Sequence, residues 1–533
     1  MKKLRSGVGA AAAAALLALG LSPSAQATTF CVPTLSACPV AGGVAKTDLE
    51  EAMNTDAEDG VADTIYLAPG TFTETGAYEP SSGFKDLGSI EPSGTDPLTL
   101  IGAGPASVVT SSGSGNIYLM ALGNGGNREV TVRTLTLQVP AGFTDGGGAA
   151  LQLSSGDKAE GIEIVSLNSE SDGIVATGGG NRVREVEVRG EGAGTVDSGV
   201  ITSFGGEVTV EDTDILGGSW PLYASDQGSL LTARRVTEVG TRTYGAVVTG
   251  GTMRIENSVF TIDDGIGLYV SAAADDGLLE ADHLTVFNEG STYPALEGKK
   301  FGTGAGDASM VVENSILRGF SSGYRTDTAF GPGIGVVHLA ARYSNLPPSG
   351  TDLGGTTDLA TGNIDADPLF NADFSLPPSS PSVDAGDPAA GGLSVDFLGA
   401  PRPNDGDGDG AAVRDQGAFE YQRPAPPSAA GSGGGANGGG GGSPRSDRVA
   451  PQTTIAKGPG AKLARGKAKF SFRASERGSS FQCKLDKRKI RPCRSPKTYS
   501  GLAPGRHVFK VWAIDGAGNK DPTPAKRRFR VPT

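Results

Sequence analysis

Val311-Val-Glu-Asn-Ser-Ile316 is the last of four near-copies, after Val130-Thr-Val-Arg-Thr-Leu135, Val208-Thr-Val-Glu-Asp-Thr213 and Met253-Arg-Ile-Glu-Asn-Ser258. In the three earlier copies apolar residues alternate with polar or charged ones, the period of a strand with one buried face. Weaker copies sit at Ile162–Ile164, Val183–Val186, Leu231–Ala233 and Leu279–Ala281. With anchors at 132, 164, 183, 210, 233, 255, 281 and 312, the gaps run from 19 to 32 residues, about one phrase every 25. A unit of that length cannot bury its apolar face alone, and stacking against its neighbours supplies the core of a solenoid. The uneven gaps place the inserted residues in loops. From about Leu98 to about Tyr343 this gives about ten coils, with Val, Ile and Leu inward and Glu, Arg, Asp and Thr outward. Asn257 and Asn314 occupy the same place in their phrases and are expected to stack as an asparagine ladder at a turn.

The composition agrees with a chain of turns and short strands. Glycine supplies 83 of 533 residues and aromatics only 6%, which disfavours a helical protein. Residues 1–27 read as a secretory signal: Lys2, Lys3 and Arg5, an apolar run from Ala10 to Leu21, and a small-residue site at Ala25-Gln-Ala27. The competing reading is an uncleaved membrane anchor, but the run is short for a span and no later stretch reaches 18 apolar residues. The mature chain is expected to be secreted, extracellular or cell-envelope associated, without a transmembrane segment, and monomeric. No sorting motif follows at the C-terminus, so attachment is expected to be non-covalent. Cys31, Cys38, Cys483 and Cys493 form two close pairs, each within its own module, and read as two local disulfides of an oxidising compartment. The three histidines are not at ligand spacing from them, which argues against a metal site or a Cys-His nucleophile.

Charge divides the chain. Residues 451–533 carry 21 Lys+Arg and 4 Asp+Glu, a net of +17, so with −13 overall the first 450 residues carry −30. Two surfaces with different partners are implied. Lys484, Lys487, Arg488, Lys489, Arg491 and Arg494 cluster around one hairpin, and Lys526, Arg527, Arg528 and Arg530 form a second group. These fit an anionic cell-envelope polymer or membrane surface; nucleic acid is disfavoured by export and by the lack of interleaved aromatics. The bland alternative is a solvated charge run.

The order of segments is a signal over 1–27, a cap over 28–75, the solenoid over 76–360, a terminal segment over 361–424, a flexible Gly/Ser/Pro linker over 425–450 and a basic module over 451–533. In the cap, Thr47 is expected to be the N-cap of a short helix with Glu50 closing a capping box, and Asp63–Phe72 a strand. This helix-then-strand order resembles the N-terminal cap of secreted bacterial right-handed parallel β-helix (pectin-lyase-like) proteins. Asp-Leu-Glu-Glu-Ala (48–52) looks like a diverged form of their Cys-Ser-Leu-Arg-Glu-Ala element. Asp365–Phe370, Asp373–Asp387, Asp396–Pro403 and Asp415–Tyr421 together resemble the choice-of-anchor Q segment that ends many bacterial surface β-helices. Phe481–Asp486, Cys493–Tyr499 and Ala513–Asn519 resemble a bacterial Ig-like repeat, whose two cysteines support a Cys483–Cys493 bridge. The resemblances imply an all-β chain: a right-handed parallel β-helix, a linker and a small Ig-like β-sandwich.

The same fold serves enzymes and adhesins, so chemistry must be argued from residues. Asn168–Asp172 and Asp263-Asp264 faintly resemble polygalacturonase carboxylate elements, making Asp172, Asp263 and Asp264 the catalytic candidates. That family's Gly-His-Gly and Arg-Ile-Lys elements do not occur here, and Asp-Gly-Ile is also what a β-helix turn looks like. A lyase would need carboxylate-held calcium and an Arg or Lys base. Asp405-Gly-Asp407-Gly-Asp409-Gly410 matches the first half of an EF-hand-type loop, with Asp415 beside the twelfth position: a candidate structural calcium site set against a plain polar turn. The reading is a surface protein binding a glycan or protein ligand, tethered by its basic module. The alternative is a polysaccharide lyase or glycoside hydrolase acting on an extracellular polyuronate.

Overall fold

The computed structural model describes residues 27–423 and 451–531, with breaks at 40–41, 55–60, 75–95, 112–117, 123–128, 142–148, 168–170, 191–197, 203–204, 289, 331–334, 372 and 390–392, and short ones within 451–531. The signal and linker expectations lie outside the described residues. Among the described residues, three long parallel sheets contain 14, 10 and 10 strands, and two small antiparallel sheets lie near the C-terminus. This is a parallel β-helix, three strands to a coil. Among the described residues no helix is long and apolar enough to cross a membrane.

By contacts the chain divides into residues 1–196 with 206–208, and residues 197–205 with 209–533. In the first unit, Thr29–Val32, Asp63–Leu67, Leu98–Gly102, Val130–Arg133, Lys158–Glu160 and Asn181–Arg184 follow one another in the first sheet. The cap strands are thus rungs of the ladder itself, which begins well before Leu98. Cys31 and Cys38 are bridged, with Cα atoms 5.3 Å apart. The helix Leu49–Asn54 starts one residue later than expected, because Leu49 is the residue that buries. Asp48, not Thr47, is its N-cap: Oδ1 accepts from the Glu51 amide at 2.6 Å. Glu51 reaches back, its Oε2 accepting from the Thr47 amide and hydroxyl at 3.1 and 2.8 Å, while the Glu50 side chain lies outside the described residues.

The register also corrects one anchor. Ala159, not Ile164, pairs with Val132 on one side and Val183 on the other, while Ile164 pairs with Leu137 in the third sheet. The irregular gaps of 32 and 19 residues become 27 and 24, and the repeat tightens.

In the second unit the expected asparagine ladder is replaced by a column of left-handed residues and a serine ladder beside it. A single left-handed residue turns each coil from the first sheet to the third: Asp212, Arg235, Asn257, His283, Asn314 and Tyr343, with φ between 45° and 53°. Asn257 and Asn314 are separated by His283 and do not stack on each other. Asparagine suits the position because it tolerates this conformation. The residue that follows makes the ladder. Ser258, Ser315 and Ser344 donate to the carbonyl two residues back, and the Ser258 and Ser315 hydroxyls accept from Val236 and Leu284 amides of the preceding coil.

Residues 370–421 fold back over the third sheet's outer face. Phe370 and Phe374 pack on Phe287, and Phe374, Phe397, Ala418 and Phe419 gather around Val259. Ala418 N donates to Thr285 Oγ1 at 2.9 Å, and Asn257 Nδ2 to the Val395 carbonyl at 2.7 Å. Arg402 is fully buried at this junction, bonded to Glu420 Oε2 (2.8 Å), Asn257 Oδ1 (3.0 Å) and the Gly417 carbonyl.

The basic module holds two antiparallel sheets sharing one core of Phe470, Phe472, Leu485, Phe509 and Val511, beside the Cys483–Cys493 bridge. Phe470 and Phe509 stack with ring centres 4.0 Å apart.

Candidate ligand-binding face

The second sheet of the second unit runs through Trp220–Ser225, Tyr244–Thr249, Ile266–Ala272, Pro294–Phe301, Ser322–Phe330 and Gly350–Leu353. Alternation sends Leu222, Ala246, Leu268 and Leu296 inward in register, so their chain neighbours face out. The outward column reads Tyr223, Val247, Tyr269, Glu297, Arg325. Beside it, Ser271 pairs with Lys299, and Lys299 with Asp327. Gly298 separates Glu297 from Lys299 because a Cβ there would lie 2.6 Å from Val337 Cγ1. In-register stacking therefore makes one surface of side chains that lie a full coil apart in sequence.

Its first half is aromatic. Trp220 and Tyr223 have ring centres 5.2 Å apart, and Tyr244 and Tyr269 5.1 Å. With Phe301 they line a cleft of about 310 Å³. Trp220 and Phe301 are more than a third exposed, whereas Tyr269 is buried by its neighbours. Burial, with smaller contributions from Tyr244 and Glu297, pushes the Tyr269 phenol up, and burial and Glu297 push Tyr244 up, so both remain protonated donors. The Tyr223 hydroxyl lies 2.8 Å from Thr249 Oγ1.

The second half is ionic. Glu297 is buried, with Oε1 3.1 Å from Lys299 Nζ and 3.5 Å from Arg325 Nε. Arg325 Nη2 lies 3.2 Å from Asp327 Oδ2, and Asp327 is also buried. Lys299 Nζ stands 5.7 Å from the Tyr269 ring centre and joins the two halves. Such a face can stack the apolar faces of a ring and hold its hydroxyl groups with fixed polar ones.

None of these residues was among the sequence candidates. Aligning the chain on its own repeat would have found them: Tyr223 and Tyr269 are two coils apart in one column, and Glu297-Gly-Lys299 and Arg325-Thr-Asp327 are charged pairs of opposite order on adjacent coils. Of the catalytic candidates, Asp172 begins the strand Asp172–Ala176 in the first unit. Asp263 and Asp264 are exposed in a turn of the second, where Asp264 Oδ1 accepts from Ser291 at 3.3 Å. No Arg or Lys pairs with Asp263 or Asp264 among the described residues.

Asp405 and Asp407 come together with Asp384, which sequence reasoning missed: their carboxylate oxygens lie within 4.8 Å of one another. Asp407 N donates to Asp384 Oδ2 at 2.6 Å. Asp409 is not in this group and accepts from the Ala411 amide at 2.8 Å. Asp415 is fully buried elsewhere, accepting from the Asp384 and Tyr421 amides. Burial first, and Glu420 next, push its carboxyl up to about 8.

No protein-family model matches the chain, and no curated protein does. Among solved structures, the chain is similar to the catalytic domain of a GH87 alpha-1,3-glucanase in complex with nigerose, at 13% identity and a TM-score of 0.41, covering 60% of this chain and 67% of that one. A D1069A form of such a domain with tetrasaccharides gives 12% identity and a TM-score of 0.36, covering 57% and 65%. Escherichia coli YbhC gives 11% identity and a TM-score of 0.22, covering 63% and 75%.

Proposed function

We propose that this is a secreted or cell-surface protein whose β-helix binds a glycan across Trp220, Tyr223, Tyr244 and Tyr269, with the basic, Ig-like module as its tether. The observation that carries the reading is the half-open aromatic cleft continued by a fixed ionic strip on the next two strands. Two disulfides support an oxidising compartment. Binding is favoured over hydrolysis because Glu297 and Asp327 are each engaged by a cation, whereas a hydrolase presents one carboxyl as a proton donor. The second reading, a lyase or hydrolase of polyuronate, is favoured by one feature: two buried carboxylates flank Arg325 on a single face.

The test is glycan-array binding and depolymerisation with the purified full-length mature chain. Saturable binding, without product, that weakens about tenfold in W220A/Y223A is the expected result. Unsaturated or reducing-end product made by the natural sequence and lost in E297Q would replace the binding reading with the enzymatic one.

A further inference from the structure

The basic module carries a row of cations with no carboxylate partner among the described residues. Ser480–Leu485, Gly505–Ile514 and Ala525–Val531 are adjacent antiparallel strands. Lys484 pairs in register with Lys510, and Lys510 with Lys526. The three lie on the side away from the core, since Cys483, Leu485, Phe509 and Val511 bury on the other. At ~4.8 Å per strand they span about 10 Å. Like charges placed directly opposite destabilise a sheet, so local stability does not account for the row.

The described carboxylates of the module are committed elsewhere. Asp486 lies 2.7 Å from His507 Nδ1 and accepts from the Val508 amide, while Asp521 is buried and accepts from the Thr453 amide. None of the three lysines pairs with a carboxylate among the described residues. The neighbouring outward pair is Gln482 and Trp512, and Lys520 sits 4.9 Å over the Trp512 ring and 2.5 Å from Gln482 Oε1. That indole face is already capped, and the described outward residues of the row offer no other aromatic on which a base could stack.

We propose that Lys484, Lys510 and Lys526 dock a linear acidic polysaccharide, one carboxylate to each strand. The in-register row offers a repeating polyanion three cations along one line, a complement that a single isolated anion does not need. The proposal rests on the glycan-binding reading and deepens it: the tether recognises a polyanionic glycan, while the β-helix cleft takes its ligand by stacking.

The experiment compares the full-length natural chain, K484Q/K510Q/K526Q and W220A/Y223A for binding polygalacturonate at about 50 and about 500 mM NaCl, where screening separates charge-driven from stacking contacts. The lysine variant should fold at least as well, by far-UV circular dichroism, because repulsion is relieved. It is expected to lose about tenfold or more in affinity at low salt, and most of the salt dependence, while W220A/Y223A keeps both. Unchanged affinity in the lysine variant overturns the proposal, as does equal affinity of the natural chain for duplex DNA or phosphatidylserine vesicles. If only W220A/Y223A loses polygalacturonate, the acidic glycan sits on the β-helix and the lysine row is not its site. If W220A/Y223A loses no glycan at all, the cleft reading fails while the lysine proposal stands.

Discussion

Two neighbouring faces of the second unit's coils meet opposite fates. The outer face of the third sheet, around Val259 and Phe287, is covered by Phe370, Phe374, Phe397 and Phe419 from the chain's own terminal segment. The outer face of the second sheet, around Trp220 and Tyr223, stays open as a cleft. The difference is in the prevailing side chains, although Phe301 also lines the open cleft. Phenylalanine and valine have no polar end, so their exposed area is stabilised only by a cover, at roughly 25 cal/mol per Å² removed from water. Tyrosine and tryptophan carry a polar tip that remains satisfied while one ring face is wet. Where a solenoid displays rings with polar handles beside fixed charges, the missing cover is expected to be a ligand.

Breaking the covered face should have the largest effect. Arg402 is wholly buried between Glu420, Asn257 and the Gly417 carbonyl. Arg402→Ala leaves the Glu420 carboxylate buried without its cation, which costs about 3–5 kcal/mol. The midpoint of urea unfolding should fall accordingly, and R402M/E420L should recover much of the loss. An R402A midpoint equal to that of the natural sequence would mean that the terminal segment is not held by this pair.

Acidity should separate the faces next. His283 is buried in the turn under the terminal segment, its Nδ1 2.7 Å from Asp282 Oδ1. Burial, helped by Arg402 and only partly offset by Asp282, holds its pKa down to about 4 from 6.5. The unfolded chain therefore takes up the proton first. Stability is lost as pH falls from 6.5 towards about 4, by ~3 kcal/mol in all. Asp415 has the opposite sign. Its folded pKa is raised from 3.8 to about 8, so the folded state keeps a proton that the unfolded chain has released. Stability then falls as pH rises from 3.8 through about 8. Between about pH 4 and 6.5 the two slopes oppose each other and largely cancel. His283→Asn, which tolerates the left-handed turn, should therefore uncover a stability that falls as pH rises from about 4 to about 8, and Asp415→Asn one that falls as pH drops from 6.5 towards about 4. Thermal midpoints across pH 4 to 9 check both, and a slope that survives its substitution belongs to another group.

The architecture was legible because it is written locally. Val-Thr-Val-Glu and Met-Arg-Ile-Glu state a strand face within four residues, and stacking only repeats the statement. What the local pattern hides is register. Ile164 alternates as well as Ala159 does, and only pairing with Leu137 assigns it to another sheet. Glu238 is a sharper case. It points inward between Ile215 and Phe260, its carboxyl without a hydrogen-bond partner among the described residues, and burial pushes that carboxyl well up, while Val239 beside it is exposed. Alternation by residue type predicts the reverse. The coil's register prevails, and the irregularity at Gly240 follows at once. The candidate ligand face was illegible for a related reason: Tyr223, Tyr269, Glu297 and Arg325 follow one another at separations of 28 to 46 residues and become one surface only through stacking. The lysine row was visible as charge but not as a row, because Lys484, Lys510 and Lys526 align only through antiparallel pairing.

The smallest expected effect bears on how the cover closes. Asp384, Asp405 and Asp407 converge within the terminal segment, and burial raises the Asp384 carboxyl, with Asp407 adding to it. Backbone amides already satisfy part of the group: Gly408 N donates to Asp405 Oδ1 and Asp407 N to Asp384 Oδ2. With three carboxylates and no bidentate glutamate, calcium should bind no tighter than the ~10⁻⁴–10⁻³ M of extracellular calcium modules. At about ten times such a Kd, ligation adds ~1.4 kcal/mol to the covered face. Calcium at that level should therefore raise the thermal midpoint of the natural chain by a few degrees, magnesium should not, and Asp407→Asn should abolish the shift. Glycan binding at the open cleft should be unaffected by the same titration, since the polar groups proposed to serve it are Glu297, Lys299, Arg325 and Asp327, on a different sheet face from the acidic loop. A midpoint indifferent to calcium would leave the acidic loop as a hydrogen-bonded turn, and Arg402 with its partners as the element that holds the cover in place.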